Sequence, residues 1–108
     1  MYVRIVLWNL EGSNTSIEEL RTYLAEESVD AFSAVEGLAL KLWVSDPETD
    51  RWGAIYLWGS REAAAQPLPS KARQMIGKEP DQVMEFQLEA SARGVTDLTD
   101  LARLGAAF

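Results

Sequence analysis

Apolar and polar positions alternate with a period of two along four stretches of the chain, the mark of strands with two different faces. In Tyr2–Leu10, Val3, Ile5 and Leu7 fall on one face; Tyr2, Arg4, Val6 and Trp8 fall on the other. Gly37–Ser60 holds two such stretches around the turn-forming run Asp46-Pro47-Glu48-Thr49-Asp50. Before the turn, Leu38, Leu40, Leu42 and Val44 alternate with Ala39, Lys41, Trp43 and Ser45. After it, Trp52, Ala54, Tyr56 and Trp58 alternate with Gly53, Ile55, Leu57 and Gly59. A fourth strand is expected over Gln82–Ala90, with Met84, Phe86 and Leu88 against Val83, Glu85, Gln87 and Glu89.

Helical spacing fills the gaps. Ile17, Leu20 and Leu24 form an apolar stripe that Ala31 and Val35 can continue, with Phe32 beside it, so a helix is expected to about Ala34, with a break near Ser28. Its start fits a capping box in either of two registers, Thr15 with Glu18 or Ser16 with Glu19. Gly37 ends the connection. Ser60–Gln66 reads as a short capped turn of helix stopped by Pro67, and Pro69–Ile76 as a second helix stopped by Gly77. Thr96–Leu104 suggests a last short helix, with Leu98, Leu101 and Leu104 on one side.

The order β-α-β-β-α-β is that of an α+β, ferredoxin-like antiparallel sheet carrying its helices on one face. The aliphatic strand faces are expected under those helices. The other face then carries Arg4, Val6, Trp8, Lys41, Trp43, Ala54, Tyr56, Trp58, Val83, Glu85 and Gln87. Left open, that surface would be too apolar for a monomer. A twofold homodimer with two sheets facing each other across a closed α/β barrel would cover it. On this reading residues 1–92 form the domain, and residues 93–108 form a tail that reaches the other subunit.

Composition narrows the chemistry. The 108 residues suffice for one domain, and no apolar run is long enough to span a bilayer. With no cysteine, disulfides and thiolate nucleophiles are excluded; with no histidine, so are Ser-His-Asp triads and histidine ligands to haem or zinc. Proton transfer must use Glu, Asp, Lys, Tyr or water. A net charge of −7 without a basic cluster argues against nucleic acid as partner. Met1 leads straight into a strand with no leader-like run, so a cytoplasmic location is expected. The acidic run Asp46, Glu48, Asp50 lacks the glycine and downstream glutamate of a calcium loop and reads as turn chemistry, so no metal site is expected.

The aromatic face carries the candidate site. Trp8, Trp43 and Trp58, with Gln87, Val6 and Val83, would bind a flat aromatic ligand. Glu85, its pKa raised by apolar neighbours, or Tyr56 would take a proton; Arg4 or Lys41 would stabilise the anion. The alternative is that these side chains only fill the barrel, with Arg4 or Lys41 paired to Glu85.

The hairpin GLALKLWVSDPETDRWGAIYLW, the following SREAAA and the late strand QVMEFQLEAS resemble the dimeric α/β-barrel superfamily, and within it the small YdhR-like group of antibiotic-biosynthesis-monooxygenase-like proteins. The likeness spans roughly residues 2–90. The group's pattern Gly-Leu-x-x-Lys-x-Trp, turn, Gly-x-x-Tyr-Leu is matched by Gly37, Leu38, Lys41, Trp43, Gly53, Tyr56 and Leu57. The resemblance implies a cofactor-independent monooxygenase acting on an aromatic or polyketide-like phenol in the barrel pocket. Because the superfamily also holds cyclases and isomerases, enolate chemistry without O2 stays open, as does a non-catalytic small-molecule-binding dimer. Its haem-handling members generally depend on a histidine, which this chain lacks.

Overall fold

The computed structural model describes residues 1–98 and 101–108. Four strands, β1 (Tyr2–Asn9), β2 (Leu38–Asp46), β3 (Arg51–Trp58) and β4 (Gln82–Gln87), form one sheet in the order β2-β3-β1-β4. Every neighbouring pair is antiparallel. The β2–β3 turn is held by Asp46, whose carboxylate accepts from the Glu48 backbone N–H at 3.1 Å and from Arg51 Nη2 at 3.0 Å. At Gly53 the strands approach so closely that a Cβ would run into the Val6 carbonyl oxygen and the Leu7 side chain.

The first helical segment is a continuous rod of three parts: α1 (Ile17–Tyr23), a π turn (Leu24–Ser28) and α2 (Val29–Ser33). Ser16 is the N-cap, its hydroxyl accepting from the Glu19 backbone N–H at 3.2 Å, so the second of the two capping registers is adopted. The π turn accounts for a departure from the expected stripe. A regular helix would bring Ala31 onto the face of Ile17, Leu20 and Leu24; one extra residue in the turn advances the phase, so Ser28 and Phe32 are buried and Ala31 is exposed.

The second helical segment is interrupted. Ser60 caps α3 (Arg61–Ala64) by accepting from the Ala63 N–H at 3.1 Å, and α4 (Lys71–Ile76) ends at left-handed Gly77. Between them Pro67 and Pro69 forbid a continuous helix, leaving an irregular strap over part of the sheet. β4 is shorter than the periodicity suggested. The described parts of the expected terminal helix, residues 96–98 and 101–104, hold bends and turns; residues 99–100 lie outside the described residues. The tail folds back on its own subunit: Arg103 meets Asp30 at 3.4 Å, and Ala107 packs on the core.

The helices cover the opposite sheet face from the one expected. The core joins Val6, Trp8, Trp52 and Ala54 from the sheet to Ile17, Leu20, Leu24 and Ile76 from the helices. The aliphatic face stays open in three registered rows: Phe86-Val3-Leu57-Leu40, Met84-Ile5-Ile55-Leu42 and Gln82-Leu7-Gly53-Val44. Phe86 is 52% and Leu42 42% exposed. Period-two alternation separates two faces without saying which one is roofed. Here long side chains with polar ends meet partners only on the helical side: Arg4 reaches the Ala64 carbonyl, Trp8 that of Lys78, and Lys41 the ring of Phe32.

A Gly53→Ala variant is expected to lose about 1–3 kcal/mol, because the clash is with backbone that cannot swing away. Urea denaturation checks this; wild-type stability would contradict the close approach.

Candidate functional site

Strand register brings the polar members of the aromatic face into one line. Glu85 on β4, Arg4 on β1, Tyr56 on β3 and Lys41 on β2 are consecutive cross-strand partners, so the row runs the full width of the sheet. Above it the interrupted second helical segment leaves a cleft of about 400 Å³ between sheet and helices. Its floor is Arg4, Trp8, Lys41, Trp43 and Tyr56; Tyr23, Ser28, Phe32 and the strap 64–70 form the roof. A second cleft of about 450 Å³ lies along β2, between the helical rod and the tail. Lys41, Phe32, Trp43 and Trp52 belong to both linings.

Lys41 is the unusual group. Its Nζ sits 3.2 Å from the ring centroid of Phe32, 4.4 Å from that of Tyr56 and 4.5 Å from that of Trp43. No carboxylate pairs with it among the described residues, whereas Lys71 is bound to Glu27 at 2.7 Å and Lys78 to Asp81 at 3.0 Å. Burial pushes the Lys41 amine down from an ordinary 10.5 to about 6. The three ring faces pull the other way, each by roughly 0.5–2 kcal/mol. Burial also raises the Tyr56 phenol, the Arg4 guanidinium opposing this only in part, so Tyr56 stays protonated at neutral pH and can donate a hydrogen bond.

Arg4 is held at both ends. Its Nη1 donates to the Ala64 carbonyl at 3.0 Å, and its Nη2 lies 2.9 Å from Glu85 Oε1. Glu85 is not the buried, raised acid expected of a general base. It is substantially exposed, and the Tyr2 hydroxyl and the Arg4 guanidinium hold its carboxyl below the usual range. The pairing considered as the bland alternative is thus real for Arg4 and absent for Lys41 among the described residues.

Of the other expected residues, Trp58 is fully buried, its ring stacked on Tyr56 at 6.0 Å and 6° between planes, so it backs the cleft floor and does not line it. Its indole Nε1 finds no acceptor among the described residues. Val6 lies in the core. Val83 and Gln87 stand exposed on edge strand β4, outside both clefts. The cleft lies within the chain, between sheet and helices, on the face opposite the open aliphatic rows. Sequence reasoning missed Phe32, Tyr23, Ser28 and the strap. Pro67-x-Pro69 between two short helices was a readable sign of a gap in the helical layer.

Every charged side chain lining the two clefts among the described residues is basic: Arg4, Lys41 and Arg73 in one, Arg21, Lys41 and Arg103 in the other. Arg4, Arg73 and Arg103 are ion-paired with Glu85, Glu79 and Asp30, which leaves Lys41 and Arg21 as the lining cations without a paired carboxylate among the described residues.

Comparison with known proteins adds the architecture. The chain is similar to a crystal structure of a dimeric ferredoxin-like protein from an uncultured marine organism, with a TM-score of 0.52. The fold is ferredoxin-like. The match covers 86% of this chain and 92% of the other at 13% identity, a likeness of fold alone. No family model and no curated protein matches the chain. Among the described residues, no helix is long and apolar enough to cross a membrane.

The Lys41 environment predicts a pH-dependent stability. The folded chain holds this amine near 6 and the unfolded chain near 10.5, so between these values the unfolded chain binds the extra proton. The residue's contribution to stability therefore rises with pH across that window, by up to about 1.4 kcal/mol per pH unit, and its full penalty is present below the window. Denaturation of wild type and Lys41→Met from pH 6 to 9 should show the variant more stable at the acid end, the gap narrowing as pH rises. A gap independent of pH would mean that the amine is not desolvated.

Proposed function

We propose that this protein is a small enzyme that admits a flat, acidic phenol or enol to the cleft between sheet and helices and removes a proton from it. Lys41 is the base, Arg4 holds the resulting anion, Tyr56 donates a hydrogen bond, and Trp8 and Trp43 supply flat walls. The observation that carries this reading is the half-buried Lys41, its amine ringed by Phe32, Trp43 and Tyr56 and unpaired with any carboxylate among the described residues. An amine brought near neutrality by burial takes a proton at physiological pH, which an ordinary ammonium cannot do. Glu85, exposed and ion-paired, serves instead to steady Arg4.

The reaction class that best fits the sequence resemblance is cofactor-independent monooxygenation. A ring-activated CH2 loses a proton to Lys41, and the electron-rich carbanion reduces O2. One oxygen atom stays as the new carbonyl, and the other leaves with the two hydrogens as water, so the substrate supplies all the electrons. Without O2 the same carbanion can cyclise or isomerise, and oxygen uptake separates the two.

The reading includes a homodimer built on the open aliphatic face. Its support is the three uncovered apolar rows and the dimeric ferredoxin-like protein of like fold. The two sheets would face each other through these rows, and each subunit would keep its own cleft. The cysteine-free composition suits a reducing cytoplasm.

Two measurements test it. Tryptophan fluorescence should be saturably quenched by anthrones and hydroxynaphthoates, with Lys41→Met retaining ligand and losing at least about 100-fold in turnover. Absence of quenching by any flat phenol would remove the site. In sedimentation at micromolar concentration, wild type should run at twice the chain mass and Phe86→Glu/Leu42→Glu at the chain mass. A monomeric wild type would remove the dimer.

A further inference from the structure

We propose that Lys41 is also a covalent nucleophile, forming an imine with a carbonyl compound that carries a carboxylate, such as an aromatic aldehyde acid or a keto acid. The proposal rests on the cleft reading above and adds a substrate class and a bond to it. It stands on three geometric facts. First, Lys41 lines both clefts, and its amine sits among the rings of Phe32, Tyr56 and Trp43. Second, the chain has three lysines, and the ammonium groups of the other two are tied to Glu27 and Asp81. Third, the charged side chains that line the clefts with Lys41 are Arg4 and Arg73 on one side and Arg21 and Arg103 on the other, with the phenols of Tyr23 and Tyr56; no acidic side chain joins them among the described residues.

Those surroundings do two things. Desolvation at this position disfavours the ammonium and outweighs the pull of the ring faces, so the amine keeps the lone pair that a nucleophile needs. Arg21, which pairs with no carboxylate among the described residues, would attract the anionic group to the cleft along β2 that Lys41 also lines. The covalent step then balances without a redox partner. The lysine nitrogen attacks the carbonyl carbon, and the C=O π pair moves to oxygen. The carbinolamine loses water, made of that oxygen and two hydrogens originating on the attacking amine and solvent-relayed, and C=N replaces C=O. Protonation of the imine nitrogen from solvent gives the iminium; in a keto acid this draws electrons from the adjacent carbon and acidifies its C–H, and that proton passes to water because the Lys41 nitrogen is then bonded to the substrate.

The experiment is reductive trapping. Native protein is incubated with 4-formylbenzoate and sodium cyanoborohydride at pH 7, and the adducts on the peptides holding Met1, Lys41, Lys71 and Lys78 are quantified by mass spectrometry. The expected result is labelling of Lys41 at least about tenfold above Lys71 and Lys78, as expected for a free amine against paired ammonium groups. Neutral benzaldehyde should show a smaller preference, and labelling of Lys71 and Lys78 should persist in Lys41→Arg. Even labelling of the three lysines, or least labelling at Lys41, overturns the proposal. If hydroxynaphthoates quench fluorescence while Lys41 gives no adduct, the cleft reading survives and the imine fails; if neither occurs, both fail.

Discussion

A sheet that is apolar on both faces has to be covered twice, and the rest of this structure follows from how that is done. One face carries long side chains with polar ends, the other mostly aliphatic chains with methionine and phenylalanine. Helical backbone and side chains can satisfy the first, because carbonyls such as those of Ala64 and Lys78 accept from Arg4 and Trp8. Within its three apolar rows the second offers no hydrogen-bonding side chain besides Gln82, so apolar cover suits it and water does not.

Two local irregularities turn the roofed face from a plain core into a candidate site. The π turn adds one residue to the helical rod and brings Phe32 onto the ammonium of Lys41. The prolines at 67 and 69 break the second helical segment, so the roof above Arg4 and Tyr56 is a strap and not a packed helix. Either feature alone would leave less: a filled core in one case, an open trough in the other.

The electrostatics run against stability. Burying an amine without an opposing carboxylate costs free energy, and a methionine would fill the same space without that cost. The fold keeps this residue in the lining of two clefts that hold four arginines between them, three of which are ion-paired, whereas Lys41 has no paired carboxylate among the described residues.

Alternation, caps and glycine stops were enough to derive the strands, a helix cap at Thr15 or Ser16, the hairpin and the βαββαβ order, because these depend on residues close in sequence. Arg4, Trp8, Lys41, Trp43 and Tyr56 could likewise be assigned to one sheet face before any coordinates, since period two requires it. Tertiary packing decided the rest. Which face the helices cover, Phe32 rather than Ala31 on the buried stripe, and a Glu85 that is exposed and paired rather than buried all depend on contacts between segments far apart in the chain. A periodicity records that two faces differ; only the packed layers determine what each of them meets.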